Sequence, residues 1–224
     1  MRVLTKIMIV GLLALLTTAA IGLYWLDFYS SDLPNIDQLA QFAPSQAGKA
    51  TLECTPRQVN VIPYSSLGNN LILAFRAAEG GSSYTTGKYH PSISWRIALR
   101  LFCQPSPELN QQLRELRTSI QLNRRYSSDQ LTAIYLNGAY FGDDIWGAQT
   151  AAHNFFHKDS NDLGPPEAAL LAGMIRSPAY YSPIKHPDRA LGRRNEVLDA
   201  MTAAGNISAT DAATAKMSSL LPAQ

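Results

Sequence analysis

Two glutamates and a set of arginines are the residues of this chain with chemistry to offer. Glu79 closes the segment LILAFRAAE, and Glu115 lies inside the run 106–126. A pair of carboxyl groups can divide acid and base work at a glycosidic bond once a fold fixes their separation, which sequence alone does not do. Arg114, Arg117, Arg124 and Arg125 lie on or beside the same run as Glu115, and a guanidinium binds phosphate through a forked pair of donors. Arg193 and Arg194 form a further basic pair that could contact phosphate, though the ordinary use of such a pair is a solvated or ion-paired helix face. A lone glutamate at a helix end is ordinarily solvated too, because a catalytic carboxylate needs neighbours that orient it. Cys54 and Cys103 sit in no CxxC or His/Cys cluster, which excludes a metal framework built on cysteine.

The elements that must position these groups are mostly helical. Leu71, Leu73, Ala74, Phe75 and Ala77 lead a helix from about Asn69 into Glu79. The following GGSSYTTGKYHPS, residues 80–92, keeps neither helix nor strand period and reads as a loop. In 106–126, Ser106 is the expected N-cap, Pro107 takes the first position, and Leu109, Leu113, Leu116 and Ile120 recur every three or four residues. That apolar face is expected to be core. Ser127 with Gln130 forms a capping box for the next helix, whose end Tyr135 and Asn137 are expected to close through local hydrogen bonds. Pro165, Pro166 and Glu167 start another helix, and Pro187 with Asp188 start a longer one that Gly205 terminates. Ser208 and Asp211 cap a last segment. Leu170, Leu171, Val197, Leu198 and Met201 fall at core spacing. Residues 30–66, rich in Ser, Pro, Gln and Thr, suit a connector or edge strand around Val59, Val61 and Pro63.

With 224 residues the chain has room for one ordinary domain and an anchor. A net charge of +2 and 46% hydrophobic residues describe a folded protein without the basic field of a nucleic-acid binder. Residues 7–26 carry no charge over twenty positions, enough for a helix to cross roughly 30 Å of hydrocarbon. Arg2 and Lys6 precede this run and Asp27 and Asp32 follow it, so the positive-inside bias places the N-terminus in the cytoplasm and the rest outside. The expected division is a cytoplasmic tail 1–6, a transmembrane helix 7–26, a stalk 27–66, a domain 67–205 and a C-terminal helix and tail 206–224. In an oxidising compartment a Cys54–Cys103 disulfide is expected, contributing about 4 kcal/mol in the chain-entropy model. The alternative is two buried thiols behaving as small hydrophobes.

From Tyr126 to Met201 the sequence resembles glycosyltransferase family 51, the peptidoglycan transglycosylase domain of class A penicillin-binding proteins and monofunctional transglycosylases. The pieces are SSDQLTAIYLNGAYFG at 127–142, GAQTAAHNFFHK at 147–158, PEAALLAGMIRSPAYYSP at 166–183 and RRNEVLDAM at 193–201. They are similar to the family's Lys-x-x-Ile-Leu-x-x-Tyr-Leu-Asn, Gly-x-x-x-Ala-Ala-x-x-Phe-Phe-Gly-Lys, Glu-Ala-Ala-Leu-Leu-Ala-Gly and Arg-Arg-x-x-Val-Leu-x-x-Met motifs. LPNIDQLAQF at 33–42 resembles the segment that follows the family's membrane span. The resemblance implies a mostly α, lysozyme-like glycosyltransferase domain on one N-terminal transmembrane helix, in a bacterial inner membrane, with the C-terminal domain periplasmic. It implies lipid II or a glycan strand as ligand, the membrane and cell-wall synthase proteins as partners, and no nucleic acid.

The family's chemistry implies a carboxylate base on the acceptor sugar 4-hydroxyl and cations, or a divalent metal such as Mg, on the leaving pyrophosphate. Glu79 stands at the base position of the first motif, but Gly80 replaces its Asp, Ser83 and Tyr84 its aromatic, and His90 comes four residues late. Laid on the second motif, Trp95 and Arg96 replace two glutamines, and Leu99 and Arg100 replace Lys-Asn. In the third motif Glu115 is kept while Gln111 and Gln112 replace the leading cations, and Ser128 stands where the family has Lys. Glu79 and Glu115 are therefore the candidate catalytic pair, and Arg96, Arg100, Arg114 and Arg117 the candidate pyrophosphate ligands. Three basic groups are lost, and such electrostatic stabilisation is usually the largest catalytic contribution. The expectation is a pseudoenzyme with reduced or lost catalysis that still binds. The alternative is an active divergent lipid II glycosyltransferase with Glu79 as general base, Mg then being a candidate cofactor.

Overall fold

The computed structural model describes residues 2–28, 33–46, 48–52, 55–86, 93–102 and 109–222. Cys54, Cys103, Ser106 and Pro107 lie outside these, so the expected disulfide and the expected N-cap at Ser106 do as well. Helix α1 (Arg2–Phe28) is followed by a 3-10 helix, Ile36–Phe42, capped by Asn35, whose side chain accepts from Asp37 N at 2.9 Å. Strands β1 (Gly48–Leu52) and β2 (Thr55–Val61) pair antiparallel, Ala50 opposite Val59 and Gly48 opposite Val61, with an irregularity at Thr51/Leu52. Ala50, Val59 and Val61 are buried, the one-face alternation of a half-covered hairpin. Helices α2 (Asn69–Thr86), α3 (Ile93–Leu101), α4 (Leu109–Arg125), α5 (Ser128–Asn137), α6 (Ala148–Phe156), α7 (Pro165–Met174), α8 (Pro187–Ala203) and α9 (Ala209–Met217) make up the rest.

The centre is α7, whose residues Ala168 to Met174 are all buried, as befits a helix that is apolar all round. Glu167 starts it by accepting from Gly164 N at 2.8 Å. Helices α2 and α8 pack on α7 and on each other, α9 packs on α8, and α3 bridges α4 to α5. Leu71, Phe75, Leu170, Leu171, Val197, Leu198 and Met201 are buried in one cluster, as their spacing predicts. The Ser127–Gln130 capping box forms with both bonds, 2.9 and 3.2 Å. Gly68 is required where the chain enters α2: at φ +83°, an added Cβ would lie 2.6 Å from Ser160 O.

Three expectations are overturned. Helix α2 continues to Thr86 instead of breaking into a loop at residue 80, because extending a helix already held by Leu71 and Phe75 costs far less than nucleating one. The apolar stripe of α4 is not core. Leu109, Leu113, Leu116 and Ile120 are 69%, 41%, 42% and 42% exposed, while Glu115, Thr118, Ser119 and Leu122 face inward. Packing against α3 selects the opposite face, and tertiary contact overrides the helix's own pattern. Tyr135 and Asn137 do not close their helix end locally. Asn137 is fully enclosed and reaches across the core, donating to Phe42 O and Ile62 O at 2.8 Å each and accepting from Ile62 N at 3.2 Å. A buried amide must find its partners wherever the fold offers them.

Helix α1 would be about 40 Å long at 1.5 Å per residue, and its described side chains, among them Met8, Leu12, Leu15, Leu16 and Ile21, are exposed. Among the described residues no helix is long and apolar enough to cross a membrane. The side chains of Ile7, Val10, Leu23, Trp25 and Leu26, which belong to the uncharged run, are outside that description.

Candidate functional site

One turn before Glu79 on α2, Phe75 stacks against Tyr135 of α5, ring centroids 4.9 Å apart. This contact fixes the phase of α2 and turns Glu79 toward α3. Helix α3 buries Ser94, Ile97, Ala98 and Leu101, which leaves Arg96 and Arg100, four residues apart, in one row on its flank. Arg96 Nε lies 2.6 Å from Glu79 Oε2, with side chains only 23% and 15% exposed. Arg100 lies over the Tyr135 ring at 4.4 Å and donates to Gly138 O at 3.1 Å. Beside it, Leu39, Phe42, Ile97, Leu101 and Ile134 wall a small apolar crevice.

From the opposite side α8 contributes Arg193. Its stem crosses α7 at Gly173, where an added Cβ would sit 2.9 Å from Arg193 Cγ, so glycine there is what lets the arginine through. Its Nη1 pairs with Glu196 at 2.8 Å. Glu79 Oε2, Arg96 Nε and Arg193 Nε are buried and lack a hydrogen bond. The Arg96–Glu79 contact is thus a close approach of charges without a directed bond. Buried polar atoms left unbonded are rare in folded proteins, and a cluster of them marks a place built for something else.

Burial pushes the Glu79 carboxyl above its usual range, and the guanidinium groups of Arg96, Arg193, Arg176 and Arg100 pull it back only in part. Burial likewise raises the Tyr135 phenol, opposed by Arg100, reinforced by the Glu79 charge and opposed again by Arg96, which also hydrogen-bonds it. The guanidinium groups here outnumber the Glu79 carboxylate and the Glu196 carboxylate that pairs with Arg193, which makes this a site for an anion. It does not fit a divalent cation: among the described residues no group of three or more His, Cys, Asp or Glu side chains could hold one, and the nearest charges are cationic.

Of the candidate residues, then, the fold brings together Glu79, Arg96 and Arg100. Glu115 is buried on the inward face of α4, accepting from Gln111 Nε2 at 3.2 Å, and Arg114 and Arg117 are half-buried on the same helix. None of these three is among the charges that shift Glu79. Arg194 is not on a solvated helix face. It is 1% exposed and donates to Lys216 O, Ser218 O and Ser219 O at 2.8, 2.9 and 3.4 Å, a cation closing the C-terminal end of α9. Burial lowers its pKa. Sequence reasoning missed Arg176 and the role of Tyr135, and weighed Arg193 as a phosphate contact without placing it beside Glu79. Their helical spacing signals core or surface, and only the α2–α7–α8 packing shows that they converge.

Residues 69–202 match the model of the transglycosylase family. Penicillin-binding protein 1F of Bacillus subtilis (strain 168) is 38% identical over 145 residues, covering 65% of this chain and 19% of that protein. Penicillin-binding protein 2a of Streptococcus pneumoniae is 32% identical over 133 residues, 58% of this chain and 18% of that protein. A crystal structure of penicillin-binding protein 1A from Haemophilus influenzae has a TM-score of 0.47 at 19% identity, covering 80% of this chain and 21% of that chain. The chain thus spans about a fifth of the length of these relatives. The family match takes in most of the 224 residues, every helix from α2 to α7 and nearly all of α8, and the chain belongs to the transglycosylase family, glycosyltransferase family 51.

Proposed function

We propose that this chain is a membrane-anchored, peptidoglycan glycosyltransferase-like protein of bacterial cell-wall biogenesis, which binds lipid II or a glycan strand with catalysis reduced or lost. The observation that carries this reading is Arg96 Nε at 2.6 Å from Glu79 Oε2. A general base must offer a lone pair within hydrogen-bond reach of the proton it takes. Here a guanidinium stands on that oxygen where the family motif has glutamine. The same cations suit a pyrophosphate, since Arg96, Arg100, Arg176 and Arg193 outnumber Glu79 and Glu196, the two carboxylates beside them. The helical core is read as the lysozyme-like fold of the family, and cell-wall synthase proteins as partners.

Helix α1 is proposed as the anchor, with the N-terminus cytoplasmic and the domain outside. Supporting this are the uncharged run 7–26, the exposed leucines and isoleucines, and the way Thr17 and Thr18 spend their hydroxyls on Ala14 O and Leu15 O. Internal satisfaction of polar groups is what hydrocarbon demands.

A second reading, an active glycosyltransferase with Glu79 as base and Glu115 as second acid, is favoured by one feature. Burial holds the Glu79 carboxyl above its usual range, which makes it a stronger proton acceptor. The full chain, incubated in detergent with labelled lipid II, with and without Mg, tests both. Retention of lipid II without polymer is expected, and Arg193→Gln is expected to weaken retention by roughly 10-fold or more. Polymer formed by the wild type and lost in Glu79→Gln would overturn the pseudoenzyme reading in favour of the active one.

A further inference from the structure

We propose that Arg96 is a latch shared by two anions: paired with Glu79 here, it is drawn to the diphosphate of an incoming ligand, and Glu79 takes up a proton as its partner leaves. The proposal rests on the anion-binding reading above and concerns how that same site fills. Its basis is the contact of Glu79 Oε2 with Arg96 Nε, 2.6 Å apart, largely buried and without a directed hydrogen bond at either atom. A buried ion pair whose hydrogen bonds are unmade recovers little of its desolvation cost, so little holds it against a better partner. The neighbouring cations are better held. Arg100 lies over the Tyr135 ring and donates to Gly138 O, and Arg193 threads past Gly173 to pair with Glu196. Besides Glu79, Arg96 has a hydrogen bond to Tyr135, a pivot about which its charged end can turn.

Charge selects the ligand. A diphosphate brings more than one negative charge and several oxygens suited to a forked guanidinium, where Glu79 brings a single charge. Once Arg96 turns away, Glu79 stays buried, loses the cation that most offsets its burial, and gains an anion for a neighbour. Each of these changes favours its neutral form. A carboxylate beside phosphate can only repel it, whereas a protonated carboxyl donates a hydrogen bond to a phosphate oxygen. The proton comes from solvent. The ligand that would need Glu79 as a base therefore silences it, which accounts for binding without turnover.

Among the described residues, Glu79 is the group of this site placed to take that proton. Facing it are Arg96 and Arg100 from α3, Tyr135 from α5, Arg176 after α7 and Arg193 from α8. The guanidinium groups are charged at every working pH, and burial keeps the Tyr135 phenol protonated. Behind Arg193 stands Glu196, 68% exposed, with water for its charge. One turn back along α2, Arg76 pairs with Asp129 at 3.0 Å on the surface. The 3-10 turn Ser160–Asp162 meets the chain at Gly68, about 16 Å along α2 from Glu79. A ligand bound with one added proton tightens by up to about tenfold for each unit that pH falls, across the interval between the free and the bound values of Glu79.

The test is a calorimetric titration of the full chain in detergent with inorganic pyrophosphate, between about pH 5 and pH 7. Buffers of unequal ionisation heat give the number of protons taken up on binding. Pyrophosphate's own protons count alike in every protein, so the wild type is compared with Glu79→Gln, and it is expected to take up about 0.5 proton or more beyond that variant. Arg96→Gln has no latch to move; it is expected to lose most of this excess and to bind pyrophosphate roughly threefold or more weakly. Equal proton counts in the wild type and Glu79→Gln overturn the latch and leave the anion site standing. An excess undiminished in Arg96→Gln overturns the part given to Arg96. A wild type that binds no pyrophosphate defeats the anion site and the latch together.

Discussion

The two halves of the domain use buried polar groups in opposite ways. From α5 to α9, Asn137 spends its amide on three backbone partners and Arg194 donates to three carbonyls at the end of α9, the exception being Arg193 Nε, which is buried without a hydrogen bond. From α2 to α4, Glu79 and Arg96 face each other without a directed bond, the Thr118 hydroxyl is buried without one, and α4 turns polar residues inward and leucines out. A satisfied buried group rigidifies a scaffold, and an unsatisfied one is a cost that only another role offsets. The family resemblance follows the same line, strong where polar groups are structural and eroded where they are free to act.

If this division is real, Arg194→Ala should do more damage than any other single substitution proposed for the scaffold, at roughly 3 kcal/mol or more, because it orphans several buried carbonyls at once. Urea unfolding measures it. Arg194→Lys should recover less than half, since an ammonium cannot fork across the same acceptors. A loss under about 1 kcal/mol for Arg194→Ala would dissolve the contrast between the halves. Asn137→Ala should cost roughly 2–3 kcal/mol by the same measurement.

Within α4 the contrast can be sharpened on one helix. Leu122→Ala, at a fully buried site, should cost about 2–3 kcal/mol. Leu116→Ala, on the outward strip, should stay within about 0.5 kcal/mol. Equal losses would mean that the strip is packed against something after all.

The smallest effect concerns pH. Because burial raises the Glu79 carboxyl above its usual 4.5, the folded state holds this proton longer than the unfolded chain does. The wild type therefore loses this contribution as pH climbs from 4.5 through the raised folded value. Glu79→Gln cannot ionise, so the difference in Tm should open in the variant's favour across that window. A difference opening in favour of the wild type would show that the Arg96 contact outweighs burial.

Much of the scaffold is legible in the sequence because its signals are local. Ser127 with Gln130, Glu167 after two prolines, and Ser208 with Asp211 each satisfy donors within one turn, and the structure shows each bond. The site was legible in part. Glu79, Arg96 and Arg100, named from the motif comparison, lie together, while Arg176, Arg193 and the Tyr135 floor escaped it. Nothing in the order of residues states that an arginine on α8 crosses a glycine on α7 to reach a carboxylate on α2.

Where most helices start, which residues form the α7–α8 core and which family the chain resembles can all be read along the chain, since capping, period and motif act over a few neighbouring residues. Packing in three dimensions was needed to select the inward face of α4, to tie distant segments through Asn137 and Arg194, and to stand Arg96 on Glu79. Those outcomes depend on what lies opposite each side chain in space, and a helix with two usable faces cannot choose between them alone.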